Sequence, residues 1–332
     1  MYRLYGGLGS PYSMKMRALM RYRRLPHVWI SMGDPATAQS LFSKVKAPVI
    51  PILEFPDGSV MNDSTPLVYE LERRHAERSV VPADPGQAFL AYLLEDMADE
   101  WGTKLMFHYR WFRERDQKQM SEWLAFDRLR GKGRSMVEAA AAAFRDRQVG
   151  RMALVGCTPQ NAPVIEGTAE RIFALLNQHA LDGTYLFGSR PSLADFAWMG
   201  QLSQLAVDPT PYDLMRETAP YLMRWLAILD DVSGLDGDWA DPNAPLTPAA
   251  EGLLALAGEV YFPFLIANAE AAAKGAETFE VELLRRTYSQ GVFKYQVKCL
   301  QQLREAFAAL PTDAKARVTP VLEKAGCLGA LR

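Results

Sequence analysis

Short apolar runs separated by turn residues mark the first eighty positions, and helical spacing of apolar residues marks almost everything after them. Tyr2–Tyr5 predicts a strand that runs into Gly6-Gly7-Leu8-Gly9, a segment able to turn sharply because glycine tolerates positive φ. Ser10 and Pro11 then predict a helix start, with proline in the first turn and Met16, Leu19 and Met20 at helical spacing. His27–Ser31 and Ile50–Phe55 predict two further strands. Pro56-Asp57-Gly58 is a turn, proline presetting its angle and glycine supplying positive φ, and Ser59–Met61 is the return strand of a hairpin. Asp63-Ser64-Thr65-Pro66 opens another helix with capping residues first and an apolar face of Leu67, Val68 and Leu71. The expected order is strand, helix, strand, a gap, then strand, hairpin, strand and helix.

Residues 77–87 hold Pro82, Pro85 and Gly86 without periodicity and predict a linker. From Phe89 the pattern is helical. Phe89, Leu93, Met97, Trp101 and Leu105 form one stripe at intervals of four. Residues 120–147 are rich in helix formers. Ser192-Leu193-Ala194-Asp195 is a capping box ahead of Phe196-Ala197-Trp198, and Tyr221–Leu229 predicts another helix. No strand is expected in this half. After a second proline-containing loop, residues 236–248, about eighty more residues also read as helical. They include a segment from Gly252 to Ala273 kinked at Pro263, and one from Gln296 to Leu310 with Val297, Leu300, Leu303 and Phe307 on one face. The chain therefore divides into residues 1–78, a linker at 79–87, a helical unit at 88–235 and a helical extension at 236–332.

The chain has 332 residues, 49% hydrophobic and 23% charged, an ordinary globular mix. A net charge of -2 provides no field for nucleic acid or an anionic membrane. No apolar run approaches the ~20 residues of a membrane span, and the start does not read as a signal peptide, so a cytoplasmic protein is expected. Cys157, Cys299 and Cys327 are far apart, and the four histidines are scattered, which argues against disulfides and against a metal site. Lys15, Arg17, Arg21, Arg23 and Arg24 read as a basic face exposed to solvent or to a second copy. Glu95, Asp96, Asp99 and Glu100 likewise read as a solvated or subunit-facing acidic surface.

Three stretches carry a specific resemblance. Gly9-Ser10-Pro11-Tyr12-Ser13-Met14-Lys15-Met16-Arg17 resembles the S-P-[YF]-x-x-K-x-R start of the first helix of cytosolic glutathione transferases. Val49-Ile50-Pro51-Ile52-Leu53, followed by Asp57-Gly58 and Asn62-Asp63-Ser64, resembles their V-P-x-L, hairpin, [ED]-S segment. Gly188 to Phe196 is similar to their G-x-x-x-S-x-A-D-[FI] helix start. The resemblance covers about residues 1–230. It implies a thioredoxin-like α/β N-terminal domain followed by an all-α helical-bundle domain, with an extended C-terminus.

By this resemblance the co-substrate is glutathione, with no metal, and Ser10 donates its hydroxyl to the glutathione sulfur. A thiol starts near pKa ~8.5, and lowering it by two units takes about 2.7 kcal/mol, which a hydroxyl donor at a helix N-terminus can supply. Ser13, Tyr12 and Tyr5 are alternative contacts to the thiol. Serine, unlike cysteine, disfavours disulfide reduction. Pro51 is expected to be cis and to present the backbone of Ile50 to the cysteinyl part. Ser64 takes the γ-glutamyl carboxylate, Asp63 lies near the α-amine, and Ser13 adds to the glutathione site. Asp99 is placed to reach glutathione across a dimer. Val49 stands where many relatives carry Lys, Arg or Gln, with Lys44 and Lys46 nearby. Tyr12, Phe107, Tyr109 and Trp111, with Trp101 and Phe112, are expected to line a pocket for a hydrophobic electrophile, and His108 and Arg110 to meet polar groups on it. The expected partners are glutathione, the electrophile and a second copy in a homodimer, with no nucleic acid and no membrane. The alternative is a non-catalytic binding or scaffold protein that keeps the fold.

Overall fold

The structure, a computed structural model, describes every residue except Asp34, and of Pro35 only the backbone. The first unit runs β1 (Tyr2–Gly6), α1 (Pro11–Tyr22), β2 (His27–Ser31), α2 (Pro35–Phe42), β3 (Ile52–Glu54), β4 (Val60–Asn62) and α3 (Ser64–Arg74). The sheet order is β2-β1-β3-β4, with β2 parallel to β1 and the other pairs antiparallel. The two-residue period of a strand sends neighbours to opposite faces. Tyr2, Leu4, Leu53 and Phe55 join Met16, Leu19, Leu67 and Leu71 in the main core, while Tyr5 and Ile52 pack on the other face with Leu41 of α2. This βαβαββα unit is thioredoxin-like, and α2 occupies part of the segment left as a gap by the sequence pattern.

The helical unit comprises α4 (Pro85–Met97), α5 (Thr103–Trp111), α6 (Glu114–Leu129), α7 (Arg134–Val149), α8 (Ala162–Asp182), α9 (Leu193–Leu205), α10 (Pro209–Thr218) and α11 (Pro220–Leu229). A π-helical turn, Ala98–Gly102, joins α4 to α5, and all five residues of the predicted stripe are buried. The capping box forms as expected: Ser192 N–H and Oγ donate to Asp195 at 2.8 and 2.6 Å. Helix α9 is buried on nearly every side and packs along α1. Gly200 permits the approach, since a Cβ there would stand 2.6 Å from the Pro11 carbonyl oxygen.

The C-terminal segment contains α12 (Pro248–Leu256), α13 (Phe262–Ala273), β5 (Thr278–Leu283), β6 (Arg286–Gly291), α14 (Lys294–Ala308), α15 (Thr312–Lys324) and α16 (Leu328–Leu331). It is not wholly helical, because β5 and β6 pair as an antiparallel hairpin. The break expected at Pro263 takes the form of a π-helical turn at Ala257–Tyr261, just ahead of the proline that lacks an N–H. Pro248–Ala273 as a whole is long and apolar enough to cross a membrane by length and composition, although polar residues interrupt its apolar run. Of its most apolar window, 61% is buried within the protein. The main apolar core extends from Tyr2 to Leu331, beside the smaller cluster of Tyr5, Leu41 and Ile52.

Candidate functional site

The strand register gathers three of the predicted segments. Tyr5 pairs with Ile52, and Ile52 with Asn62. The residues just beyond these pairs therefore share one end of the sheet: Gly7–Ser10 after β1, Ile50-Pro51 before β3, and Asp63-Ser64 after β4. The Ile50–Pro51 peptide is cis. Among the described residues neither the N–H nor the C=O of Ile50 has a hydrogen-bond partner, so this edge can accept an extended peptide. Gly7 lies against it, since a Cβ there would meet Ile50 Cδ1 at 3.6 Å.

Ser10 caps α1 and is half-buried. Its Oγ accepts from the Ser13 N–H at 3.3 Å, which leaves its own proton free to donate. The first turn of α1 holds no acid, so the positive end of the helix is not neutralised locally. The helical unit fixes the loop that carries Ser10. Arg110 Nη1 donates to the Gly9 carbonyl at 2.8 Å, and Gln204 Nε2 to the Leu8 carbonyl at 3.2 Å. Arg110 is itself held by Asp208 through Nε at 2.8 Å and Nη2 at 3.0 Å, and by Gln204 Oε1 at 2.9 Å. Breaking a buried bidentate pair of this kind costs about 3–5 kcal/mol. Arg110, expected at the substrate, is thus a fully buried anchor for the Ser10 loop. His108 is likewise buried on Glu166, at 2.9 Å. Two of the alternatives to Ser10, Tyr5 and Ser13, lie elsewhere. Tyr5 donates to Glu54 at 2.9 Å in the lesser core, and Ser13 is fully buried against Gly6 with its Oγ unpartnered.

At the third segment Asp63 takes φ 75°, a strained value for a non-glycine residue, and caps α3 only through its backbone. Pro66 has no N–H, so the amides of Ser64 and Thr65 are the ones this helix start offers an anion. The Ser64 side chain turns inward, its Oγ donating to Asp99 Oδ2 at 3.3 Å and accepting from Lys15 Nζ at 3.4 Å. Lys15 is completely buried and pairs with Glu95 and, at 2.7 Å, with Asp99. Burial alone would lower the Lys15 pKa, but the Asp99 and Glu95 carboxylates raise it. Burial also raises Glu95, to about 7, against the pull of Lys15. Burial raises Asp63 as well.

These contacts correct two expectations about charge. The acids of α4 and its π-helical turn are not a solvated surface: Glu95, Asp96 and Asp99 are buried, and Glu100 is half-buried. Asp99 reaches Ser64 within the same chain. Nor do the basic residues of α1 form a free face, because Arg17 and Arg21 pair with Asp230, and Arg23 with Glu72. Lys15, expected on that basic face and within the helix-start motif, is instead buried at the junction of α1, α3 and α4. Val49 and Lys44 are exposed, as is Lys46 beside them.

The predicted aromatic pocket is not where the cavity lies. Tyr109 and Trp111 are core residues, and Trp111 packs on Phe144 of α7 at 5.8 Å. Phe107 packs on Trp111, and the Tyr12 hydroxyl donates to the Asp99 carbonyl at 2.9 Å. A cleft of about 700 Å³ opens instead between the β1–α1 loop, α6, α9 and α11, lined by Leu8, Gly9, Trp123, Phe126, Met199 and Met223 among others. Trp123 and Phe126 are about half exposed there, at 49% and 51%. Among the described residues no three His, Cys, Asp or Glu side chains gather as they would around a metal.

Residues 4–79 match the family profile described as glutathione S-transferase, N-terminal domain, and residues 125–227 the one described as glutathione S-transferase, C-terminal domain. No curated protein matches the chain. Among solved structures, a glutathione S-transferase from Methylobacterium radiotolerans in complex with glutathione sulfonate is 21% identical, with 72% of this chain and 96% of that one covered and a TM-score of 0.44. For a glutathione S-transferase from Rhodospirillum rubrum the values are 20%, 76%, 92% and 0.42. For the beta-etherase LigF from Sphingobium they are 19%, 68%, 93% and 0.45.

Proposed function

The chain belongs to the glutathione S-transferase family, and from that premise we propose that it binds glutathione at the sheet end described above and transfers its thiolate to an apolar electrophile. The observation that carries this reading is the convergence of three elements at one end of the sheet. These are a helix start headed by Ser10, the unpartnered Ile50 backbone before a cis proline, and the α3 amides beside Asp63. Ile50 pairs with the cysteinyl backbone as an added strand does, and the Ser64 and Thr65 amides take the γ-glutamyl carboxylate. Asp63 and Asp99 face the α-ammonium.

The thiol loses its proton to solvent, and the Ser10 hydroxyl donates to the resulting sulfur anion at the positive end of α1. The sulfur lone pair then forms a bond to an electrophilic carbon. A leaving group departs with its electron pair, or an activated alkene takes a proton from water at its other end. The apolar cleft beside Gly9 holds the electrophile, with Trp123 and Phe126 at its exposed side. A reducing, cytoplasmic setting suits three free and buried cysteines.

The test is thiolate absorbance in a glutathione titration at neutral pH. Saturable binding with a thiolate signal that disappears in Ser10→Ala is the expected result. Binding without a thiolate signal would reassign the chain to the non-catalytic binding or scaffold class, and no binding would remove glutathione from the reading altogether.

A further inference from the structure

The C-terminal segment covers the outer face of α4, the π-helical turn and α5. Phe89 packs against Phe307 at 5.5 Å, and Trp101 against Phe264, edge to face, and Tyr288 at 5.4 and 5.6 Å. The Tyr261 hydroxyl donates to Asp96 at 2.6 Å, and Lys104 Nζ to Gln290 Oε1 at 2.6 Å. The acidic face expected to meet a second subunit is therefore closed by the chain's own residues.

The same segment reaches the candidate site. Gln296 of α14 donates to Glu100 at 3.2 Å, and Glu100 adjoins Asp99, which bonds Ser64. On the same helix the Lys298 ammonium, two residues after Gln296, lies within electrostatic reach of the Asp63 carboxylate, and Tyr295, the residue before Gln296, within reach of Asp63 and Glu100. Tyr295 and Lys298 are exposed, so both side chains are free to meet a ligand. Beside Ser64, Asp99 keeps Oδ1 buried and without a partner, an acceptor with no donor yet. An α-amino acid end supplies both kinds of group such a place can use. Its ammonium suits the acids, and its carboxylate suits the α3 amides and a nearby cation.

We infer that α14 closes the γ-glutamyl side of the site from within the chain, with Lys298 and Tyr295 contacting the ligand, so that one chain binds glutathione without a second copy. This rests on the function proposed above. Lys298 keeps a site walled by Asp63, Asp99 and Glu100 from repelling the ligand's carboxylate, and Tyr295 offers a hydroxyl and an aromatic edge at the rim. A site completed in this way does not depend on association.

The test measures glutathione affinity by calorimetry on the full chain over a wide range of protein concentration, alongside sedimentation velocity. Lys298→Glu and Tyr295→Ala alter exposed side chains, and circular dichroism confirms that each variant is folded. The expected results are an affinity of the unaltered chain that is the same when sedimentation shows single chains as when it shows any larger species, a loss of about tenfold in Lys298→Glu and a loss of about threefold in Tyr295→Ala. Affinities of both variants within about twofold of the unaltered chain would overturn the inference while leaving the proposed function standing. Binding that vanishes on dilution together with a dimer would overturn it too. A chain that binds no glutathione at all would overturn the proposed function, and this inference with it.

Discussion

Two lysines are buried in this protein with opposite consequences. Lys15, at the junction of α1, α3 and α4, meets Glu95, Asp99 and Ser64. Lys104, at the junction of α5 with the β5–β6 hairpin, bonds neutral groups, Gln290 Oε1 at 2.6 Å, the Val155 carbonyl at 3.1 Å and the Phe264 ring at 4.6 Å, while the Glu100 carboxylate acts on it from farther off. Burial lowers the pKa of both ammonium groups. At Lys15 two carboxylates reverse the shift, whereas Lys104 is pushed down to about 8. The walls of the candidate site are thus fixed by charges that compensate one another. The C-terminal segment is held by apolar packing, with a cation whose burial is only partly offset.

The sharpest way to break this contrast is Lys15→Met. It leaves Glu95 and Asp99 buried without a cation, and removing one partner of a buried network costs about 3–5 kcal/mol. Urea melts should show that loss at pH 8 and a smaller one at pH 5, where Glu95 can take a proton and shed its charge. A loss under about 1 kcal/mol at pH 8 would show that the network is not what holds α1, α3 and α4 together.

Lys104→Met should cost much less at pH 7, because it also removes an ammonium that burial disfavours. Lys104 has a folded pKa below its unfolded one, so its folded form gains relative stability as pH rises from about 8 toward 10.5. The unaltered chain should therefore gain roughly 2 kcal/mol relative to the variant between pH 8 and 10. Parallel stability curves for the two proteins over that range would mean the Lys104 ammonium is better compensated than its neighbours indicate.

The same contrast governs how much the sequence revealed. The N-terminal unit was readable because its signals are local: a Ser-Pro helix start, an Asp-Gly turn and a capping pair ahead of α3. Helix α2 escaped because Pro35–Phe42 carries almost no apolar face, Leu41 alone being buried among its described side chains. The β5–β6 hairpin escaped for a different reason. Its two turn residues, Leu284 and Arg285, take φ 49° and 60°, values that Asn-Gly usually announces. The alternation of Phe279, Val281 and Leu283 was the one available signal. The acids of α4 and its π-helical turn were misread because nothing near them in sequence declares their partners. Lys15 lies 80 residues from Glu95, Tyr261 lies 165 from Asp96, and Gln296 lies 196 from Glu100. Four acids within six positions look like a solvated face until the fold brings a cation and neutral donors, among them Ser64, Thr65, Tyr261 and Gln296, to them. Arg110 was misplaced on the same grounds, since Asp208 and the Gly9 carbonyl are both about a hundred residues away.

Glu100 stands between the two junctions and gives the smallest of the expected effects. It adjoins Asp99 on one side and accepts from Gln296 of α14 on the other. Burial raises its pKa to about 7, and the hydrogen bond from Gln296 opposes the shift without cancelling it. A carboxyl raised in the folded state contributes stability below its unfolded pKa, near 4.5, and that contribution fades as pH climbs through 7. Glu100→Gln keeps the shape and removes the charge. It should match the unaltered chain at pH 4.5 and exceed it by roughly 1–2 kcal/mol at pH 8, visible as a higher melting temperature. If the variant instead melts lower at pH 8, the Glu100 carboxylate is doing something its half-buried position does not require. The ammonium of a bound ligand, or that of Lys104, would then be the charge that holds it ionised.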